Sequence, residues 1–381
     1  MIPYSTQYID NDDIKAVKEV LESPFLTTGP CIENFEKALC SYTGAKYATA
    51  VNSATSALHL AIKALGIKNS DIVYVSAISF VASANCALYE GAQVEFVDVD
   101  EKTGNLDVDA LSTMLERAHI LGTLPKALVC VHLSGRSCDM KKIKQLSDKY
   151  GFYIIEDAAH AIGAIYNDTK VGSCTFSDIT VFSFHPVKII TTGEGGMALT
   201  NNEKLDYRLK LLRSHGITHE KSHMQNKKMP DFYYEQIDLG FNYRMTDFQA
   251  ALGLSQLSKI DDFLKKRRAL AKSYAKKLKD LDITLPCPDS NNNLSSWHLY
   301  QIGIDGNRDS VYKYMRSNGI GVQIHYLPIY DHPYYQSLQP YPKLFGAEAF
   351  FKNTLSIPLF VNLDEKEQDK VVSILKKALT L

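Results

Sequence analysis

Ile154-Ile155-Glu156-Asp157-Ala158-Ala159-His160, together with Val181-Phe182-Ser183-Phe184-His185-Pro186-Val187-Lys188, decides how this chain is read. In the first stretch an apolar strand ends on an acid, and in open α/β sheets ligands bind beyond the carboxyl ends of the strands. In the second, a buried strand runs into one lysine and then into Ile189-Ile190-Thr191-Thr192-Gly193-Glu194-Gly195-Gly196. Lysine is rarely buried without a partner or a covalent role, and a desolvated lysine loses its proton and becomes a nucleophile toward carbonyls. A third stretch, Asn52-Ser53-Ala54-Thr55-Ser56-Ala57-Leu58, joins a strand to small polar residues and a helix start, where free N–H groups can bind phosphate. The acid and the helix start each have a plainer reading, a solvated loop residue and an ordinary N-cap, and the lysine alone is a weak signal.

Working outward, short β-branched runs alternate with helical patterns from Tyr47 to about Asn201. The strands are expected at Ala48–Val51, Ile72–Val75, Val94–Val99, Ala127–His132, Tyr153–Glu156, Ile179–Phe184 and Met197–Thr200. Between them Met140–Tyr150 carries Ile143, Leu146 and Tyr150 on one face and lysines on the other. Such βαβ alternation implies a mostly parallel sheet covered by helices. The uncharged run Ile72–Tyr89 contains Ser76, Ser79, Ser83 and Asn85, and reads as a buried strand entering a helix rather than a membrane span.

Helices are also expected at Asn11–Leu21 and, as one long connector, over Thr246–Leu281. A smaller α+β body should follow: strand His298–Ile304, helix Ser310–Ser317, strand Val322–His325 and helix Glu365–Leu379. Lys204–Gln236 is charged and weakly periodic, either a flap or a surface excursion. The expected division is 1–245 for an N-terminal segment and large α/β domain, and 246–381 for the connecting helix and small C-terminal domain.

The bulk numbers narrow the function classes. The 381 residues are 45% hydrophobic and 22% charged, ordinary for a globular protein. With 42 basic and 43 acidic side chains the net charge is −1, which offers no global field for nucleic acid or an anionic membrane. The seven cysteines are scattered and never spaced CxxC, which argues against a disulfide framework or a metal site and fits a reducing cytoplasm. The first residues lack the basic and apolar blocks of a signal peptide. The GEGG turn is not a dinucleotide fingerprint, because it lies deep in the chain, after a lysine and before a strand. No Walker lysine motif and no HExxH occur.

Taken together, IIEDAAHAIG, FSFHPVKIITTGEGG, RSHGI, FNYRMTDFQAALGLSQL and VQIHYLPIY resemble the DegT-like sugar-nucleotide aminotransferases of the aspartate-aminotransferase fold, from about Tyr4 to beyond Tyr330. The resemblance implies a pyridoxal 5′-phosphate (PLP) enzyme. Lys188 would carry the cofactor as a Schiff base and shuttle protons, and Asp157 would pair with the pyridine nitrogen. His160 would reach the phenolic oxygen, where many relatives have Gln, and Phe80 would lie on the ring. Ala54, Thr55 and Ser183 would hold the phosphate, joined by Asn242 from a neighbouring subunit. This last role implies a homodimer with composite sites. Arg244 could support the phosphate or serve a structural ion pair. Tyr4, Phe25-Leu26-Thr27 and Gln323-Ile324-His325-Tyr326 would line the sugar-nucleotide pocket, although Phe25-Leu26 is equally a hydrophobic staple.

ITTGEGG and His160 are similar to the subgroup that aminates C4 of a UDP-linked 4-keto-6-deoxy-N-acetylhexosamine in pseudaminic acid biosynthesis. L-glutamate would be the donor, by ping-pong through pyridoxamine phosphate. Another hexos-4-ulose or a 3-ketosugar is the alternative. A PLP sugar dehydratase would replace the lysine with histidine, and a non-catalytic regulator would lose Lys188 or Asp157; both are present.

Overall fold

The computed structural model describes residues 1–380. Its centre is a seven-stranded sheet of β1 (Tyr47–Val51), β2 (Ile72–Ser76), β3 (Gln93–Val97), β4 (Ala127–Val131), β5 (Tyr153–Asp157), β6 (Ile179–Ser183) and β7 (Gly196–Thr200), in the order β1-β7-β6-β5-β4-β2-β3. The run β6-β5-β4-β2-β3 is parallel, and β7 opposes both its neighbours. β4 and β6 are buried along their whole length. That is why they read as unbroken apolar runs: a parallel sheet is covered on both faces.

Helices α1 (Asn11–Leu21), α2 (Pro30–Thr43), α3 (Ala54–Ala64) and α4 (Ala82–Tyr89) pack around it. α1 begins where the sequence places it, with Asp10 and Asp13 forming a reciprocal cap. α2 was not anticipated, although its signals are ordinary: Pro at the first turn and left-handed Gly44 at the end. It buries Phe35 and Leu39 against the sheet face opposite α3 and α4.

A separate apolar cluster gathers Val311, Met315, Leu355, Val371 and Leu375. It also takes in Tyr274 and Leu278, and Ile2 from the chain start. Tyr300–Gly303 pairs there with Thr354–Ile357. Among the described residues, no helix is long and apolar enough to cross a membrane.

Three expectations need correction. Val322–His325 is not a strand: its only ladder contact is the single bridge Gln323 to Ser356. Val322 and His325 are buried and Gln323 exposed, but a β-branched, partly buried segment need not find a pairing partner. Thr246–Leu281 is not one helix: Asp247–Ser258 and Ile260–Leu278 meet at Lys259. The Lys259 ammonium is held there by Asp10 at 2.7 Å and Asp13 at 2.8 Å, and Asp261 and Asp262 occupy the first turn of the second helix. Finally, Lys204–Gln236 opens with the helix Glu203–Arg213. The remainder is a surface loop closed by Ile217–Thr218 pairing with Glu235–Gln236.

Candidate active site

The carboxyl ends of β5 and β6 and the start of α3 enclose a cavity of about 380 Å³, within the range of small-molecule and cofactor sites. Asp157, the last residue of β5, is buried and faces this cavity. Its Oδ2 accepts the Ser83 hydroxyl at 2.6 Å and its Oδ1 accepts the Ala159 N–H at 3.1 Å. Ser79 in turn contacts Ser83 at 2.6 Å. One donor on each oxygen fixes the carboxylate and leaves lone pairs for a ligand.

Lys188 enters from the turn after β6. Its N–H bonds to His185 O at 2.9 Å, and Ser5 at the chain start ties the turn through a hydroxyl on Val187 O at 3.0 Å. Side-chain accessibility leaves Lys188 partly open to the cavity. Loss of water around the amine nevertheless pulls its pKa down to about 8, and the Asp157 charge opposes that shift. The result is an amine that gives up its proton more readily than an exposed lysine, as a carbonyl nucleophile requires.

At the other end of the cavity, Ser53 caps α3 by accepting the Ser56 N–H. The N–H groups of Ala54 and Thr55 have no intrahelical acceptor, and both residues line the cavity with Ser183. Gly196 passes so close that a Cβ there would meet Ala54 N at 2.5 Å. The GEGG turn therefore lets β7 approach the helix start, which is its physical use.

His160 lines the same wall, with Tyr326 Oη 3.3 Å from its Nε2. Burial drives the His160 pKa well down, aided by Lys188 and His325. His325 is itself pushed to about 3 by burial and Lys188, and its Nδ1 bonds Ser356 Oγ at 2.8 Å. Burial likewise raises the Tyr326 phenol.

One chain thus brings Lys188, Asp157, Ala54, Thr55, Ser183, His160, Phe80 and Tyr326 to one cavity. Phe80 is 59% exposed and its ring lies 6.4 Å from that of Tyr326. Tyr4 stands behind, 5.3 Å from the His325 ring. Phe25, Leu26 and Thr27 are exposed away from the cavity; Leu26 O accepts the Asp247 N–H. Asn242 is exposed, with only a backbone bridge to Ser214. Gln323 is exposed, and Ile324 packs on the C-terminal cluster.

Sequence reasoning passed over Ser83 and Glu194, which also lines the cavity. A signal for Ser83 existed: a serine inside the uncharged run 72–89 must find a partner when buried.

A lysine on the turn after a buried strand, lining one cavity with a fixed carboxylate, suits an enzyme of amine–carbonyl chemistry. Residues 7–376 match the DegT/DnrJ/EryC1/StrS aminotransferase family. A UDP-4-amino-4,6-dideoxy-N-acetyl-beta-L-altrosamine transaminase of Campylobacter jejuni is 40% identical over 99% of this chain and 98% of its own. The structure of Helicobacter pylori PseC, an aminotransferase involved in the biosynthesis of pseudoaminic acid, superposes with a TM-score of 0.91 at 34% identity, covering 100% of this chain and 99% of that one. A putative sugar aminotransferase from Streptococcus pneumoniae in its PLP form gives 0.89 at 28% identity, covering 100% and 98%. The chain belongs to the DegT/DnrJ/EryC1/StrS aminotransferase family and is an aminotransferase of the PLP-dependent transferase fold.

Proposed function

We propose that this aminotransferase uses PLP to move an amino group from L-glutamate to C4 of a UDP-linked 4-keto-6-deoxy-N-acetylhexosamine, in two half-reactions. What supports the reading is one cavity carrying an amine, a carboxylate and a free helix start, in a chain 40% identical to a transaminase of that type. The donor set suits the cofactor's three handles: Lys188 for its aldehyde, Asp157 for its ring nitrogen, Ala54, Thr55 and Ser183 for its phosphate.

When bound, PLP supplies the carbonyl that takes up an amine and a ring that withdraws electrons from the reacting carbon. Asp157, held by Ser83 and Ala159, keeps a proton on the ring nitrogen. Lys188, as free base, removes the proton from the α-carbon of glutamate and later delivers one to C4 of the sugar. Because its amine approaches from one wall, a single face of C4 receives the proton. Phe80, which lines the cavity, would cover the ring, and Tyr4, His325 and Tyr326 would bound the sugar side.

In this reading Asn242 and Phe25-Leu26-Thr27, exposed on one chain, complete the site of a second copy. The working form is a cytoplasmic homodimer whose seven thiols remain free. Mixing two inactive variants, Lys188→Ala and Asn242→Asp, should restore part of the activity through hybrid dimers; no recovery would remove Asn242 from the shared site.

The substrate is tested by incubating holoprotein and glutamate with 4-keto and 3-keto UDP- and dTDP-sugars and reading products by mass spectrometry. The UDP-linked 4-keto N-acetyl sugar should be aminated fastest. Preference for a 3-keto or dTDP sugar would overturn the assignment.

A further inference from the structure

His160 faces the cavity through Nε2, and its other nitrogen is occupied. Nδ1 receives the backbone N–H of Ser134 at 3.3 Å. A backbone N–H can only donate, so Nδ1 carries no proton. Burial and Lys188 on the β6 turn argue against a second proton. The other groups facing the ring, His298 tilted against it at 4.3 Å and His325 and Tyr326 on the segment after Val322, supply no negative charge to hold one. The ring is neutral, with its one proton on Nε2.

What aims the Ser134 N–H lies on the C-terminal side of the molecule. Ser134 adopts φ 60° and ψ 2°, a left-handed conformation that a non-glycine residue holds only under constraint. Its carbonyl accepts N–H groups from His298 at 2.9 Å and Leu299 at 3.3 Å, and the next carbonyl, on Gly135, accepts the Ser296 N–H at 2.9 Å. Its hydroxyl donates to Gln301 Oε1. Gln301 is buried, and its Nε2 donates to His325 O at 2.8 Å and contacts Thr354 Oγ1 at 3.3 Å. Since His325 O can only accept, the amide must be oriented with its oxygen toward Ser134. Every polar atom of Gln301 is therefore assigned. The bridge joins the turn that touches His160 to the segment that carries His325 and Tyr326.

We propose that Gln301 and Ser134 are positioning residues that hold His160 as the Nε2–H tautomer, so that it offers the cavity a hydrogen-bond donor and never an acceptor. The ligand atom it suits is an oxygen bearing negative charge. The inference rests on His160 belonging to the proposed site, but not on which sugar is aminated. Burial and the Lys188 ammonium, which disfavour a second proton on the ring, act in the same direction.

The test is nitrogen NMR of the full chain labelled with 15N in histidine, with and without PLP, the His160 signals being assigned by their loss in His160→Gln. The wild type should show Nδ1 unprotonated and Nε2 protonated, without titration across roughly pH 5 to 8 where free histidine changes charge. Gln301→Leu should admit the other tautomer or a titration into that range. It should also lower kcat by about fivefold to tenfold, the scale of one net hydrogen bond, at unchanged KM for the keto sugar. Ser134→Gly tolerates the left-handed backbone while removing the side chain that bonds Gln301; it should act in the same direction and decides the matter if Gln301→Leu does not fold. A charged or Nδ1–H His160 in the wild type, or an unchanged spectrum in the folded variants, would overturn the proposal. Failure of the sugar assignment would leave these spectra untouched.

Discussion

Glu156 and Asp157 are consecutive residues at the end of one strand, and their side chains serve opposite faces of it. Both are buried carboxylates. Glu156 is closed: His132 Nε2 lies 2.6 Å from its Oε2, and Ser177 and Thr180 donate to Oε1. Asp157 has one hydroxyl and one N–H, and a cavity beyond.

The histidines beside them repeat the contrast. His132 Nδ1 accepts the Cys138 N–H at 3.2 Å, as His160 Nδ1 accepts that of Ser134. Burial opposes a charge on His132, while contacts with Cys138 and Glu156 draw its pKa upward. With a backbone donor directed at Nδ1, a second proton has nowhere to sit, so the neutral Nε2–H form is assigned there too. That proton is consumed by Glu156. The proton on His160 Nε2 meets only Tyr326 Oη and the open cavity. The same device, one turn N–H per imidazole, builds a sealed pair on one face and a ligand-ready donor on the other. A buried acid on its own is thus no indication of a site; unfilled acceptor capacity beside a cavity is.

Changes on the two faces should separate activity from stability. The largest effect is expected for Lys188→Ala, which should abolish steady-state amination while the protein remains folded. Turnover near the wild-type rate would break the assignment of the open face. Asp157→Ala should follow, with kcat reduced on the order of a hundredfold to a thousandfold, the usual cost of removing a preorganised charge-stabilising group. Its denaturation midpoint should move little, and a large stability loss with normal kcat would reverse the roles of the two faces.

Glu156→Gln should do the opposite. An amide cannot accept from all three donors, so stability should fall by about 1–3 kcal/mol with kcat nearly unchanged. Hydrogen bonds from His132, Ser177 and Thr180 outweigh the burial that opposes ionisation and hold the Glu156 carboxyl below the usual range. A lowered folded-state pKa contributes stability that is present above the unfolded value and lost as pH falls through the folded one. Wild-type urea midpoints should therefore drop more steeply than those of Glu156→Gln on acidification below about pH 4.5; parallel curves would show that this carboxylate is not the titrating group. The smallest effect is expected for Phe80→Leu, which sharpens the contrast by probing the open side alone. Removing an aromatic face should weaken PLP retention in dialysis by about 0.5–1.5 kcal/mol, with no change in denaturation of the cofactor-free chain.

Much of the sheet was legible because burial leaves a one-dimensional trace. β4, covered on both sides, reads as Ala127-Leu-Val-Cys-Val with no polar interruption, and Met140–Tyr150 carries its lysines on one helical face. The same reasoning failed at Val322–His325, where an apolar, partly buried segment makes only one bridge and no ladder. It failed at Lys259, where two acids from the chain start mark the join between two helices. It also passed over Pro30–Thr43, whose end signals were present but whose neighbours drew no attention.

The candidate site shows the same division. Lys188, Asp157 and the helix start at Ala54 stand out because each is a costly or reactive group at the end of a buried run, and that cost is written locally. Ser83 could not be joined to Asp157 by any local rule, since 74 positions separate them. The sequence alone determined which groups can react and which segments are covered, because chemistry and burial periodicity are properties of residues and their near neighbours. Only the tertiary structure decided which carboxylate is sealed and which stays open, and on which nitrogen His160 keeps its proton. Those outcomes depend on partners that meet through packing, and no periodicity along the chain records who they are.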